Sequence, residues 1–202
     1  QPNATIAVFD KEKSVGEHAS GRNSGVLHAG FYYSPDSLKA ALTRDGNKLL
    51  RDFCSEENIQ VKETGKVVVA QNLAEVAALQ ELHRRGNANG VVTELVTPER
   101  LAELEPLAKT SELALWSPHT AVANPLAVTQ GLATKIVREG TTLKLGQEVL
   151  RTTQNRIITN LGNYSVGHII NCAGLYADNV AKQFGYCDDY AMLPFKGLYW
   201  YG

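Results

Sequence analysis

Three of the chain's polar–proline pairs, read as helix starts, divide it more firmly than any other feature. Ser34-Pro35, Thr97-Pro98 and Asn124-Pro125 each place a residue able to cap a helix N-terminus before a proline, which a helix accepts readily in its first turn. Asn72 followed by Glu75 reads as a capping box of the same kind. Helical stripes follow these signals. Leu38, Ala41, Leu42, Leu49, Leu50 and Phe53 run to about Glu57, with Gly46 as a weak point. Val76, Leu79 and Leu82 lead to a stop at Gly86, "TPERLAEL" is a short helix, and Leu132, Ile136 and Val137 lead to a stop at Gly140.

Short apolar runs fill the intervals. "TIAVFD" reads as a buried parallel strand, and "IQVKETGKVVVA" as two strands joined at Gly65. "VVTELV" and "ELALWS" are strands, the latter leading into a loop, "PHTAVA". "TLKLGQEVLRTT", "RIITNL" and "HIINCA" follow as strands, with turns at Asn155 and around Gly162. "LYADNVAKQFG" is a short helix and "MLPFKGLYWYG" a last extended segment. Strands mixed with helices predict an α/β domain interrupted by an α+β region, not a helical bundle.

The chain has 202 residues and a net charge of −1, with acids and bases interspersed. No basic patch with interleaved aromatics suggests nucleic acid. No apolar run reaches the length of a membrane span and no signal peptide opens the chain, so a cytoplasmic protein is expected, with peripheral contact at the inner membrane left open. Cys54, Cys172 and Cys187 form no CxxC pair and read as two or three buried thiols in a reducing compartment. The chain enters a strand almost at once from Gln1 and stops at "LYWYG" in another, so it is expected to be a piece of a longer protein, truncated at both ends.

Three stretches could carry chemistry. Asp10 closes a strand, where an acid can accept hydrogen bonds from ribose hydroxyls or simply form a turn. "HIINCAGLYAD" takes a strand through a small corner, Ala173-Gly174, into a helix; ligands bind at such strand ends, although a plain tight turn has the same pattern. "GRNSGVLHAGFYY" has three glycines that free main-chain N–H groups, with donors at Arg22, Asn23 and Ser24, which suits a flat polar ring. His28 could accept or donate a proton, since its reference pKa lies near 6.5, or be structural. The other histidines show no ligand pairing, so no metal is expected.

Taken in order, "VFDKE", "SGRNSGVLHAGFYYSPDSLKA", "INCAGLYADNVA" and "LPFKGLYW" resemble the FAD-dependent D-amino-acid-oxidase-like superfamily, and most closely its L-2-hydroxyglutarate oxidase/dehydrogenase group. The likeness covers essentially the whole chain and lacks the family's amino-terminal phosphate loop and carboxy-terminal third. It implies a doubly wound, Rossmann-like FAD-binding domain over residues 1–57 and 118–186, with an inserted α+β substrate domain over 58–117 and 187–202. It implies FAD as cofactor. Asp10 would hold the ribose, and Arg22, Asn23, Ser24, Gly25 and Val26 would lie along the flavin. Val149 would touch the adenine, and Ala173 and Gly174 would approach the pyrophosphate and ribose. His28 would be the base, with Lys196 and Tyr33 or Tyr199 on the substrate side. Relatives often have Arg where Lys196 stands, so a bidentate carboxylate clamp is not implied.

The implied reaction moves a hydride from a 2-hydroxy acid to flavin, giving a 2-oxo acid, with oxygen or a quinone as the electron acceptor. Two other readings stand beside it. The enzyme could oxidise amino acids or glycerol phosphate, or the piece could be a non-catalytic, self-associating fragment that binds FAD weakly or not at all for lack of the helix N-terminus that neutralises pyrophosphate.

Overall fold

Side-chain caps set the starts of four helices in the computed structural model, which describes residues 4–195 and 197. In chain order the elements are β1 (Ala7–Phe9), β2 (Val26–Leu27), α1 (Leu38–Glu56), β3 (Val61–Lys62), β4 (Lys66–Val69), α2 (Leu73–Ala88), β5 (Glu94–Val96), α3 (Pro98–Leu104), β6 (Ala114–Ser117) and β7 (Ala121–Ala123). Then come α4 (Pro125–Arg138), β8 (Thr142–Lys144), β9 (Val149–Thr153), β10 (Arg156–Thr159), β11 (Gly162–Ser165), a 3-10 turn (Gly174–Tyr176) and α5 (Ala177–Lys182).

Thr97 accepts the Arg100 N–H at the start of α3, and Asn124 accepts those of Leu126 and Ala127 at the start of α4. The first polar–proline pair behaves differently. The Ser37 N–H reaches the Ser34 carbonyl at 3.0 Å, closing a turn with Pro35 at its second position, a favoured place for proline. Ser37 is therefore the residue that caps α1, through the Ala40 N–H. Asn72 caps α2, but Glu75 takes the Gln71 N–H and the Asn72 side-chain amide instead of completing a capping box. Helix α2 also runs past Gly86 and ends near Gly90, where φ is +71°. Gly86 has a packing role, since a Cβ there would lie 3.2 Å from the Phe31 Cβ.

The chain divides into two compact units: in order along the sequence, an outer one of residues 1–24 with 129–202 and an inner one of residues 25–128. They do not follow the division into 1–57 with 118–186 and 58–117 with 187–202. Helix α1 and strand β7 lie in the inner unit because Leu50, Phe53 and buried Cys54 pack with Leu27, Ala121 and Ala123.

In the outer unit β1 and β8 pair in parallel, and β9, β10 and β11 form an antiparallel meander. Phe9 meets Tyr164 of β11 edge-on, with ring centres 4.9 Å apart. The turn into β11 is clipped by Thr159 Oγ1, which accepts the Leu161 and Gly162 N–H groups. "HIINCA" is not a strand: among the described residues no neighbour hydrogen-bonds it as a ladder, and Ile170 is exposed. Cys172 and Cys187 are exposed as well, so Cys54 is the buried thiol of the three.

The inner unit holds two antiparallel sheets, ordered β2-β7-β3 and β4-β6-β5. The stretch expected as a loop, "PHTAVA", contains β7 because Val122 finds partners on both sides, Val26 and Lys62. Successive β4 side chains face opposite ways: Val67 and Val69 pack with Val96, Leu101 and Ala114, whereas Val68 packs with Phe31, Leu79 and Leu115. Gly65 enters β4 at φ +64° with the Trp116 ring where a side chain would stand.

The segment before α1 has few backbone partners, and side-chain amides replace them. Asn47 Nδ2 donates to the Leu27 and His28 carbonyls, each at 3.1 Å. Buried Asn89 donates to the Gly30 and Tyr33 carbonyls, each at 3.0 Å. Arg51 Nε donates to Asn47 Oδ1 at 2.7 Å, while its guanidinium also binds Glu63 and the His119 carbonyl.

Two outcomes test this account. Gly65→Ala should lower stability by about 3 kcal/mol or more, combining left-handed strain with overpacking against Trp116, read as a fall in urea midpoint. Asn89→Ala should lower it by about 1–3 kcal/mol by leaving two carbonyls unpaired, and should speed amide exchange in residues 30–33.

Candidate functional site

In the outer unit Asp10 follows β1, with its backbone N–H on the Lys144 carbonyl at 3.0 Å and its carbonyl taking the Gln147 N–H. Its Oδ1 accepts the Glu12 N–H at 2.8 Å, which orients the carboxylate. Among the described residues Oδ2 accepts no hydrogen bond, leaving an acceptor suited to a hydroxyl. The following loop is knotted by charge. Glu12 binds His18 at 2.9 Å and Lys11 at 3.1 Å, and these contacts, His18 foremost, lower its pKa.

Lys11 Nζ also reaches the Tyr176 hydroxyl at 3.3 Å and lies over that ring, 4.6 Å from its centre. This contact brings the loop after Asp10 to the turn that follows Ala173-Gly174. Gly174 has φ +54°, and the space a side chain would take there is open. Beyond it, Asp178 in the first turn of α5 accepts the Met192 N–H, the main cause of its lowered pKa. Val149 opens β9 and is half-buried.

Residues 19–24 form no helix, and their donors are arranged unevenly. Asn23 Nδ2 donates back into the loop, to the Ala19 and Ser20 carbonyls, each at 3.0 Å. Arg22 is exposed and lies 3.7 Å from Glu17, and Ser24 is exposed. A separate depression of about 470 Å³ lies beside His168, Ile169 and Asn171, and none of the expected site residues lines it.

In the inner unit Gly25 and Val26 follow directly. Val26 belongs to β2, a strand the irregular composition concealed. Gly25 has a structural demand of its own: φ is +67°, and a Cβ would fall 2.0 Å from the Ala123 carbonyl. His28 keeps much of its surface in solvent with its ring partly covered, and its carbonyl is held by Asn47. Partial burial of the ring, and secondarily the Lys66 ammonium, push its pKa below the usual value, favouring neutral imidazole with one nitrogen free to accept a proton. Tyr33 is half-buried with Lys39 Nζ 4.7 Å from its ring centre, and Tyr32 carries Lys66 Nζ at the same distance. Lys66 was not singled out in the sequence, where its one signal is a cation heading the apolar run "VVVA". Lys196 and Tyr199 lie outside the described residues.

The model of the FAD-dependent oxidoreductase family, DAO, matches residues 1–201. Among curated proteins, L-2-hydroxyglutarate dehydrogenase of Indibacter alkaliphilus is 39% identical over 98% of this chain and 51% of its own length. The mitochondrial L-2-hydroxyglutarate dehydrogenase of Homo sapiens is 32% identical over 98% of this chain and 46% of its own. The chain thus spans about half the length of these relatives. Among solved structures, glycine oxidase from Geobacillus kaustophilus superposes with a TM-score of 0.81 at 21% identity, over 90% of this chain and 52% of that one. L-alpha-glycerophosphate oxidase from Mycoplasma pneumoniae, with FAD bound, gives 0.76 at 22% identity, over 88% and 50%. These structures share the mixed helix-and-strand fold expected from the sequence. With a family model spanning nearly every residue, the chain belongs to the FAD-dependent oxidoreductases.

Proposed function

We propose that the protein containing this chain oxidises L-2-hydroxyglutarate to 2-oxoglutarate. The observation that carries this reading is the 39% identity to an L-2-hydroxyglutarate dehydrogenase across nearly the whole chain. FAD, when bound, supplies the acceptor for the hydride leaving the substrate's C2. The residues present fit that group. Among the described residues Asp10 keeps a carboxylate oxygen without a hydrogen bond, available to a ribose hydroxyl, and the space where a side chain at Gly174 would stand, beside Ala173, is open. Arg22, Asn23, Ser24, Gly25 and Val26 are assigned to the flavin ring and Val149 to the adenine, on the strength of the family resemblance.

His28 is the proposed base. Its lowered pKa keeps the imidazole neutral at physiological pH, so it takes the hydroxyl proton as C2 becomes a carbonyl. Tyr33, Lys196 and Tyr199 are assigned to the substrate side. Electrons then pass to oxygen or to a quinone. A quinone would bring the enzyme to the inner-membrane surface, whereas oxygen suits a cytoplasmic one. Among the described residues no helix is long and apolar enough to cross a membrane.

The test is anaerobic bleaching of the flavin absorbance in the full-length protein. L-2-Hydroxyglutarate should bleach it faster than glycine, proline or glycerol 3-phosphate; the reverse order would assign a different substrate. His28→Gln should retain FAD and lower kcat by about 10²–10⁴-fold. The wild-type rate should fall with acid along a limb whose midpoint lies below the usual histidine value of about 6.5, because the proton must be absent from His28 for it to act.

A further inference from the structure

We propose that Lys66 is an anchor for a carboxylate of the substrate, presented on the Tyr32 ring of the loop that also carries His28; this rests on the reading of the protein as an oxidase of an acidic substrate. The placement begins with strand alternation. Lys66, Val68 and Ala70 occupy one face, and Val68 and Ala70 pack into the cluster built around Phe31. A third apolar residue would continue that stripe. The chain has a lysine instead, half-buried, with Nζ 4.7 Å from the centre of the Tyr32 ring.

Tyr32 is itself fixed. Its ring lies 4.3 Å from that of Phe31, which is 1% exposed, and the neighbouring Gly30 and Tyr33 carbonyls are held by Asn89. The aromatic face supports the lysine stem and aims the ammonium without neutralising it. Among the described residues neither Lys66 nor Lys39 has a carboxylate in ion-pair reach. Glu63, three positions before Lys66, is engaged by Arg51.

A half-buried cation without a counterion favours an anion from solution. Lys66 is close enough to His28 to repel its proton, so a carboxylate bound to Lys66 would sit in the neighbourhood of the proposed base. Lys39 stands over Tyr33, the next residue of that loop. The chemical class Lys66 selects is a carboxylic acid, and a dicarboxylate such as the proposed substrate has a carboxylate to spare for it.

The experiment uses the full-length, flavin-loaded protein and glutarate, a dicarboxylate with no hydroxyl to oxidise. Glutarate should raise the His28 pKa, followed by NMR of 13C-labelled histidine, because it neutralises the nearby ammonium. Lys66→Gln should raise the His28 pKa without ligand and abolish the response to glutarate. It should also increase KM for L-2-hydroxyglutarate by about 10–100-fold, the worth of a charge-assisted hydrogen bond, with a smaller change in kcat. Lys66→Arg, which keeps the charge, should recover much of the binding. The inference is overturned if Lys66→Gln leaves KM and the glutarate response as in the wild type, and that result would leave the assigned reaction standing. A Lys66-dependent glutarate response in a protein that oxidises no 2-hydroxy acid would overturn the reaction and support the anion site.

Discussion

Side-chain amides holding main-chain carbonyls are the interaction on which the candidate site of the inner unit depends. Residues 28–33 belong to no helix or sheet, so their carbonyls need partners from elsewhere. Asn47, from α1, and Asn89, at the end of α2, supply them from two helices at once. Arg51 then braces Asn47 through its amide oxygen. A loop fixed in this way can keep a histidine and two half-buried tyrosines in place, and groups held on a rigid frame are what recognition needs.

The outer unit solves a similar problem with charge. The loop after Asp10 turns on itself through Glu12, Lys11 and His18, and Lys11 carries it to Tyr176. The first candidate acid and the Ala173-Gly174 corner are 163 positions apart in sequence, counted from Asp10 to Ala173. One amine-to-hydroxyl contact near each of them brings their surroundings together. Such an exposed contact contributes little to stability, so its value is positional.

Much of this was legible in residue order where the chemistry is local. Thr97, Asn72 and Asn124 cap helices as their spacing implies. Departures occur where distant residues decide. Ser34-Pro35 forms a turn because Ser37 is a second available cap, and Gly86 stays helical because Phe31 packs on it. "HIINCA" has the composition of a strand but finds no ladder partner, while β7, read as loop, finds two. The motif residues were visible through resemblance. Lys66 and Asn47 were not, since a lysine beside valines and an asparagine in a helix gain meaning only when Tyr32 and the His28 carbonyl are placed next to them.

The meeting of Gly25 with Ala123 has a topological consequence. The carbonyl of Gly25, the first residue of the inner unit, receives the Ala123 N–H at 2.9 Å, only a few residues before that unit ends. Entry and exit of the polypeptide are therefore zipped side by side, the geometry of a cassette spliced into a host chain. That unit is closed on itself by a main-chain hydrogen bond near its two ends, so the loops and helices between Val26 and Val122 can vary in length while the closure stays in place.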